Sequence, residues 1–155
     1  HLLGYFVGLD HQELQALLSR TRQARRQRAQ EMVQQGYRAM KWFFRHGPTD
    51  GVEGIAQNIE LARTLREAVG PDVDLMLDCW SSWDVPYTIQ MARRLEPYHP
   101  RWLEEPVLAD KIEQYAEIRR NSLVPISGVI CIAESPLKLR SKSTRKSAAP
   151  SSIRT

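Results

Sequence analysis

Cysteine is scarce: only Cys79 and Cys131 occur among 155 residues, in separate surroundings and with no Cys-x-x-Cys or Cys/His cluster. Neither a disulfide framework nor a zinc site is therefore expected, and a reducing, cytoplasmic setting is the default. Long apolar runs are also missing. A membrane span needs roughly 18 to 20 residues, whereas the longest local run, Ile126 to Ala133, is broken by Ser127 and Gly128. No membrane partner is expected. Leu2 to Val7 is too short for a secretory signal and has no basic flank. The chain opens on His1 rather than Met, which reads as a fragment of a longer protein.

Aromatic residues do not interleave with the basic ones, and this bears on the net charge of +4. Arg20, Arg22, Arg25, Arg26 and Arg28 lie beside Gln and Ala in a helical stretch, the pattern of a solvated face rather than a nucleic-acid stripe. The positive excess lies in residues 135–155, where Lys138, Arg140, Lys142, Arg145, Lys146 and Arg154 occur with no acid. Residues 1–134 are slightly acidic, so no specific nucleic-acid partner is expected. With 42% hydrophobic and 26% charged residues, the chain reads as one globular domain over 1–134. A Ser, Lys, Arg and Pro-rich tail over 135–155, of unfolded composition, follows it.

Within the domain, helical and extended patterns alternate. Residues 11–35 read as a helix that Asp10 could cap, with Leu14, Leu17, Leu18, Met32 and Val33 facing inward and Gly36 ending it. Arg38 to Phe44 is a candidate buried strand. Val52, Ile55, Ile59, Ala62, Leu65 and Val69 form the stripe of an amphipathic helix that Gly70-Pro71 stops. Strands are then expected at Asp74 to Cys79, Arg101 to Glu105 and Val124 to Ser127. Helices are expected at Val85 to Leu95, capped by Asp84, and at Ile112 to Arg120. The spacing leaves room for a right-handed helical crossover between parallel strands. Periodicity leaves two α/β architectures open, a doubly wound sheet and part of a (β/α)8 barrel.

Asp78 and Glu104 each close a predicted strand, the end at which barrels place chemistry. Carboxylates on adjacent strands repel unless a cation lies between them, and hard oxygen ligands suit Mg²⁺. The alternative is that Asp78 caps a helix or faces solvent and that Glu104-Glu105 is a surface pair.

The segments AMKWFFRHGPTDG (Ala39 to Gly51), DLMLDCW (Asp74 to Trp80) and RWLEEP (Arg101 to Pro106) carry more information. In this order and spacing they resemble the mandelate racemase and muconate lactonizing branch of the enolase superfamily, and most of all its L-rhamnonate dehydratases. The resemblance covers about Gln30 to Gly128. It implies roughly the first half of a TIM-type (β/α)8 barrel, preceded in that family by a capping domain. It also implies Mg²⁺-dependent dehydration of an acid sugar, L-rhamnonate or a related aldonate, through an enediolate. The first two metal ligands of the family map onto Asp78 and Glu104. Lys41 matches the first lysine of a Lys-x-Lys pattern whose second position is Phe43, so no lysine base is implied. Lys41, His46 and Trp80 are candidate substrate-binding residues, with Trp83 a further candidate for lining the pocket. Full-length relatives are expected to be homo-oligomers.

The family's fifth strand reads like Pro-Ile-x-x-Gly-Glu, its Glu being the third ligand, whereas here Pro125-Ile126-Ser127-Gly128 runs into Val129-Ile130. The His-Asp dyad expected on later strands is absent from the chain, so no catalytic residue is assigned and the chain alone is expected to be inactive. A frame or splice change after Gly128 would account for the divergence. The competing reading is a non-catalytic truncated product whose basic tail touches acidic partners nonspecifically.

Overall fold

The computed structural model describes residues 11–128. The basic tail and the divergence after Gly128 lie outside them, and Leu14, Leu17 and Leu18 lie outside the described side chains. Helix α1 (His11–Gln34) leads into strand β1 (Ala39–Phe43), and α2 (Gly51–Val69) into β2 (Asp74–Asp78). Helix α3 (Val85–Leu95) precedes β3 (Trp102–Glu104), and α4 (Ile112–Asn121) precedes β4 (Ile126–Ser127).

The local signals act as their chemistry dictates. Gly36 adopts φ +93°, and its N–H donates to the Val33 carbonyl at 2.9 Å while that of Tyr37 donates to Met32 at 3.1 Å, closing α1 in a left-handed turn. Asp84 accepts the Tyr87 N–H on its Oδ1 at 2.8 Å and so caps α3, with Pro86 in the first turn. The Arg66 guanidinium, near the end of α2, donates to the carbonyls of Gly70, Val73, Tyr98 and His99 at 2.7 to 2.9 Å. One side chain thus ties the helix end to the segments that enter β2 and β3.

All four strands are parallel in the order β1-β2-β3-β4. Each crossover steps to the next neighbour in one direction. Right-handed crossovers that never reverse place every helix on the same face of the sheet. A doubly wound sheet requires a reversal, so the alternative that periodicity left open is decided for the partial barrel. Neighbouring helices touch in chain order, α1 on α2, α2 on α3 and α3 on α4.

The strands alternate accordingly. Met40, Leu75, Leu77 and Leu103 are buried beneath the helices, in one cluster with Leu61, Leu65, Met91 and Leu95. Lys41, Phe43, Met76, Asp78, Trp102 and Glu104 stand on the opposite face. Two expectations need correction. Val52 is 83% exposed, because the inward face of α2 runs instead through Gly54, Asn58, Leu61, Ala62, Thr64 and Leu65. On α4 only Ile118 is fully buried and Ile112 is exposed, since this last described helix has a neighbour on one side only.

Two arginines of α1 serve the helix–helix contact. Arg22 pairs with Glu60 at 2.5 Å and Arg26 with Glu67 at 3.7 Å, both across to α2, while Arg28 pairs with Glu31 along its own helix. Arg22 and Arg28 are exposed, as expected of a solvated face, whereas Arg25 is partly buried and burial lowers its pKa. No described helix is long and apolar enough to cross a membrane.

Candidate metal and substrate site

Parallel pairing sets Phe43 opposite Asp78, Asp78 opposite Glu104 and Glu104 opposite Ser127. The two acids therefore occupy the same level on neighbouring strands, at the carboxyl ends and on the face turned away from the helices. Lys41, two residues before Phe43, reaches up between them. Its Nζ lies 3.2 Å from Asp78 Oδ2 and 3.1 Å from Glu104 Oε1. Both carboxylates are mostly covered, with 16% of each side chain exposed, whereas Lys41 approaches from the solvent side. The ammonium is held above its ordinary pKa, first by the bond to Glu104 and next by the bond to Asp78.

The remaining carboxylate oxygens have donors as well. Trp80 N–H donates to Asp78 Oδ1 at 3.0 Å, and Trp102 Nε1–H donates to Glu104 Oε2 at 3.2 Å. Trp102 is a residue that sequence reasoning did not single out. The signal was present, because period-two alternation puts it on the face of Glu104, two residues away.

The turn after β2 is unusual. Trp80 and Ser81 adopt φ of 56° and 51° and Glu105 adopts 44°, left-handed values that cost a residue with a Cβ roughly 1 to 2 kcal/mol each. The pairing of β2 with β3 continues through these loops and holds them. Cys79 N–H donates to Glu104 O at 2.8 Å, Ser81 N–H to Glu105 O at 2.6 Å and Trp83 N–H to Pro106 O at 2.9 Å. Backbone strain of this kind concentrates at functional sites, and here it turns the Trp80 N–H back onto Asp78. Beneath it the Cys79 thiol is fully buried, and burial, followed by the charges of Asp78 and Glu104, pushes its pKa well up.

Lys41, Asp78, Glu104 and Trp80 thus come together, whereas His46 does not join them. Its Nε2 meets Gln57 Oε1 at 3.0 Å and its Nδ1 lies 3.7 Å from Asp50 Oδ2, so the ring is engaged with α2 and the turn leading into it. The His46 carbonyl accepts from Asn58 at 2.9 Å and from Trp83 Nε1 at 3.0 Å. Trp80 is 64% exposed and meets Phe43 edge-on at 5.7 Å. Trp83, suggested as a pocket residue, is instead core: it stacks on Phe44 at 5.1 Å and is 6% exposed.

Among the described residues, no group of three or more His, Cys, Asp or Glu is poised around one point. At the level of the two acids β4 presents Ser127, and the position where the family pattern would place its glutamate lies outside the described residues.

A model of the enolase C-terminal domain-like family matches residues 24–132. The chain is 45% identical over 85 residues to an L-rhamnonate dehydratase of Saccharopolyspora erythraea, a match covering 55% of this chain and 22% of that protein. It therefore spans about a fifth of the length of this curated relative. Its fold is similar to that of a rhamnonate dehydratase from Gibberella zeae complexed with Mg, with 36% identity and a TM-score of 0.52 over 55% of this chain and 21% of that one. A racemase from Streptomyces coelicolor A3(2) with bound magnesium gives 30% identity and a TM-score of 0.58 over 66% of this chain and 27% of that one. With strands, one-sided helices and strand-end acids in the arrangement described, and a family model matching most of its length, the chain belongs to the enolase C-terminal domain-like family.

Proposed function

We propose that this chain carries part of the active site of a Mg²⁺-dependent acid-sugar dehydratase, with L-rhamnonate or a related aldonate as substrate. The observation that carries the reading is the convergence of Asp78 and Glu104, from neighbouring strand ends, on the single cation of Lys41. The donor set suits Mg²⁺, which commonly takes one or two carboxylates and keeps water on its other positions. The names of the relatives support the substrate class.

Asp78 and Glu104 would hold the metal, with Trp80 N–H and Trp102 Nε1–H fixing the orientation of each carboxylate. When bound, the metal supplies Lewis-acid stabilisation of the negative charge that develops on a substrate carboxylate as its neighbouring proton leaves. Lys41 adds positive charge on the open side, suited to a carboxylate. Phe43 stands where a second lysine would make two-sided proton transfer available, so the reading favours one-sided abstraction followed by loss of the 3-hydroxyl. No proton-transferring role is assigned to a residue of this chain.

The test is a calorimetric Mg²⁺ titration of the full chain, followed by replacement of the matching segment of the Saccharopolyspora enzyme with residues 24–128 of this chain. The expected outcome is weak Mg²⁺ binding by the chain, abolished by Asp78→Asn. In the chimera, 2-keto-acid formation from L-rhamnonate should fall at least 100-fold with Asp78→Asn or Glu104→Gln, the order of loss seen when electrostatic stabilisation is removed. Dehydration unaffected by both substitutions, or racemization without keto-acid, would sink the assignment.

A further inference from the structure

Two carboxylates on adjacent parallel strands, each mostly covered, would repel one another in a metal-free protein. Here they do not stand alone. Lys41 Nζ bonds one oxygen of each, at 3.2 and 3.1 Å, and among the described residues it is the one side chain that bridges the pair. The other two oxygens are held by groups that cannot leave independently, the Trp80 backbone N–H and the indole of Trp102 on the same strand as Glu104. Lys41 is different in kind. It is a flexible four-carbon stem with 48% of its side chain exposed, so it can swing into water with little loss of packing.

From this geometry we infer that Lys41 is a built-in competitor for the divalent cation: its ammonium occupies the position shared by the two carboxylates and must leave when a metal enters. The inference rests on the proposed metal site and adds a coupling to it. The oxygens that a cation must use, Asp78 Oδ2 and Glu104 Oε1, are the two that Lys41 holds. Metal entry and release of the Lys41 amine are then one event. A freed ammonium at the strand end is available to an anionic group only in the loaded state. The apparent affinity for Mg²⁺ is lowered by the cost of displacing one cation with another at a pair whose charge is already half neutralised.

The competition is tested on the full chain by calorimetric Mg²⁺ titration of the unmutated protein, Lys41→Met, Lys41→Arg and Asp78→Asn. Lys41→Met is expected to bind Mg²⁺ about tenfold more tightly, since removing a unit charge a few ångströms from a dication is worth at least that in a partly solvated site. Lys41→Arg, which retains the charge, should bind no more tightly than the unmutated chain, and Asp78→Asn should not bind. If Lys41→Met binds no better than the unmutated chain while Asp78→Asn still abolishes binding, the competition is overturned and the metal site survives. Absence of binding by the unmutated chain and Lys41→Met alike overturns both. Should Lys41→Met fail to fold by circular dichroism, acetylation of the unmutated chain with peptide mass spectrometry asks the same question. Mg²⁺ should raise labelling of Lys41 relative to Lys111, and unchanged or lowered labelling would refute the displacement.

Discussion

Three donors serve the four oxygens of Asp78 and Glu104: a backbone N–H and an indole N–H hold one each, and the Lys41 ammonium shares the remaining two. Such pairing is what lets two like charges share one level of the sheet. Tyr115 stands on α4. Its hydroxyl donates to Val107 O at 2.8 Å, and burial, followed by the Glu105 charge, pushes its pKa up to about 12 from an ordinary 10. The folded state therefore holds this proton more tightly than the unfolded chain does. The resulting stability is full below pH 10 and is lost as pH rises toward 12. Burial also raises the Tyr87 hydroxyl, so ultraviolet titration of the tyrosinate band should show a late component that Tyr115→Phe reduces by the absorbance of one tyrosine. A late component undiminished in Tyr115→Phe would contradict this account.

At the scale of elements, the chain depends on what its helix ends do. Asp84→Ala removes the cap of α3 and should cost about 1 kcal/mol, read as a lower melting temperature with an unchanged circular dichroism spectrum. An unchanged melting temperature would show that the cap contributes nothing. The end of α2 relies on Arg66, whose planar fork serves four carbonyls at once. Lys cannot reproduce that geometry. Arg66→Lys should therefore destabilise by about 2 kcal/mol despite the conserved charge, as lost hydrogen bonds to partly buried carbonyls would. Urea unfolding of the two chains decides it, and equal midpoints would mean that a point charge suffices. Both helix ends could be located by pattern, from Gly70-Pro71 and Asp84, whereas the Arg66 clamp joins residues up to 33 apart that no local pattern connects.

For the molecule as a whole, the arrangement of strands predicts where it opens. β2 and β3 have paired neighbours on both sides among the described residues, and β1 and β4 on one side. Amides of Leu75, Leu77 and Leu103 should exchange with deuterium most slowly, and those of Ala39 and Ser127 much faster. Peptide-resolved exchange measurements give the order, and protection of β4 equal to that of β2 would contradict it. The face opposite the helices carries the site because a sheet of this topology has its helices on one side only. That leaves Lys41, Phe43, Asp78, Trp102 and Glu104 free of helix packing.

Order along the chain was set locally. Apolar period, Gly36, Gly70 and Asp84 mark where each helix and strand begins and stops, because those preferences act over a few residues of backbone. Asp78 and Glu104 could be recognised as strand-end acids for the same reason. Three things required the tertiary structure. Strand order and one-sided helices, which separate a partial barrel from a doubly wound sheet, are properties of crossover direction that periodicity does not encode. Burial of Trp83 and exposure of Trp80, three residues apart, follow from left-handed backbone at Trp80 and Ser81, held by pairing with the loop after β3. Finally, Lys41 meets both acids from 63 residues before Glu104 because the register sets Phe43, Asp78 and Glu104 at one level. Charge attraction between residues so far apart in the chain acts only after hydrogen bonding between strands has fixed that register.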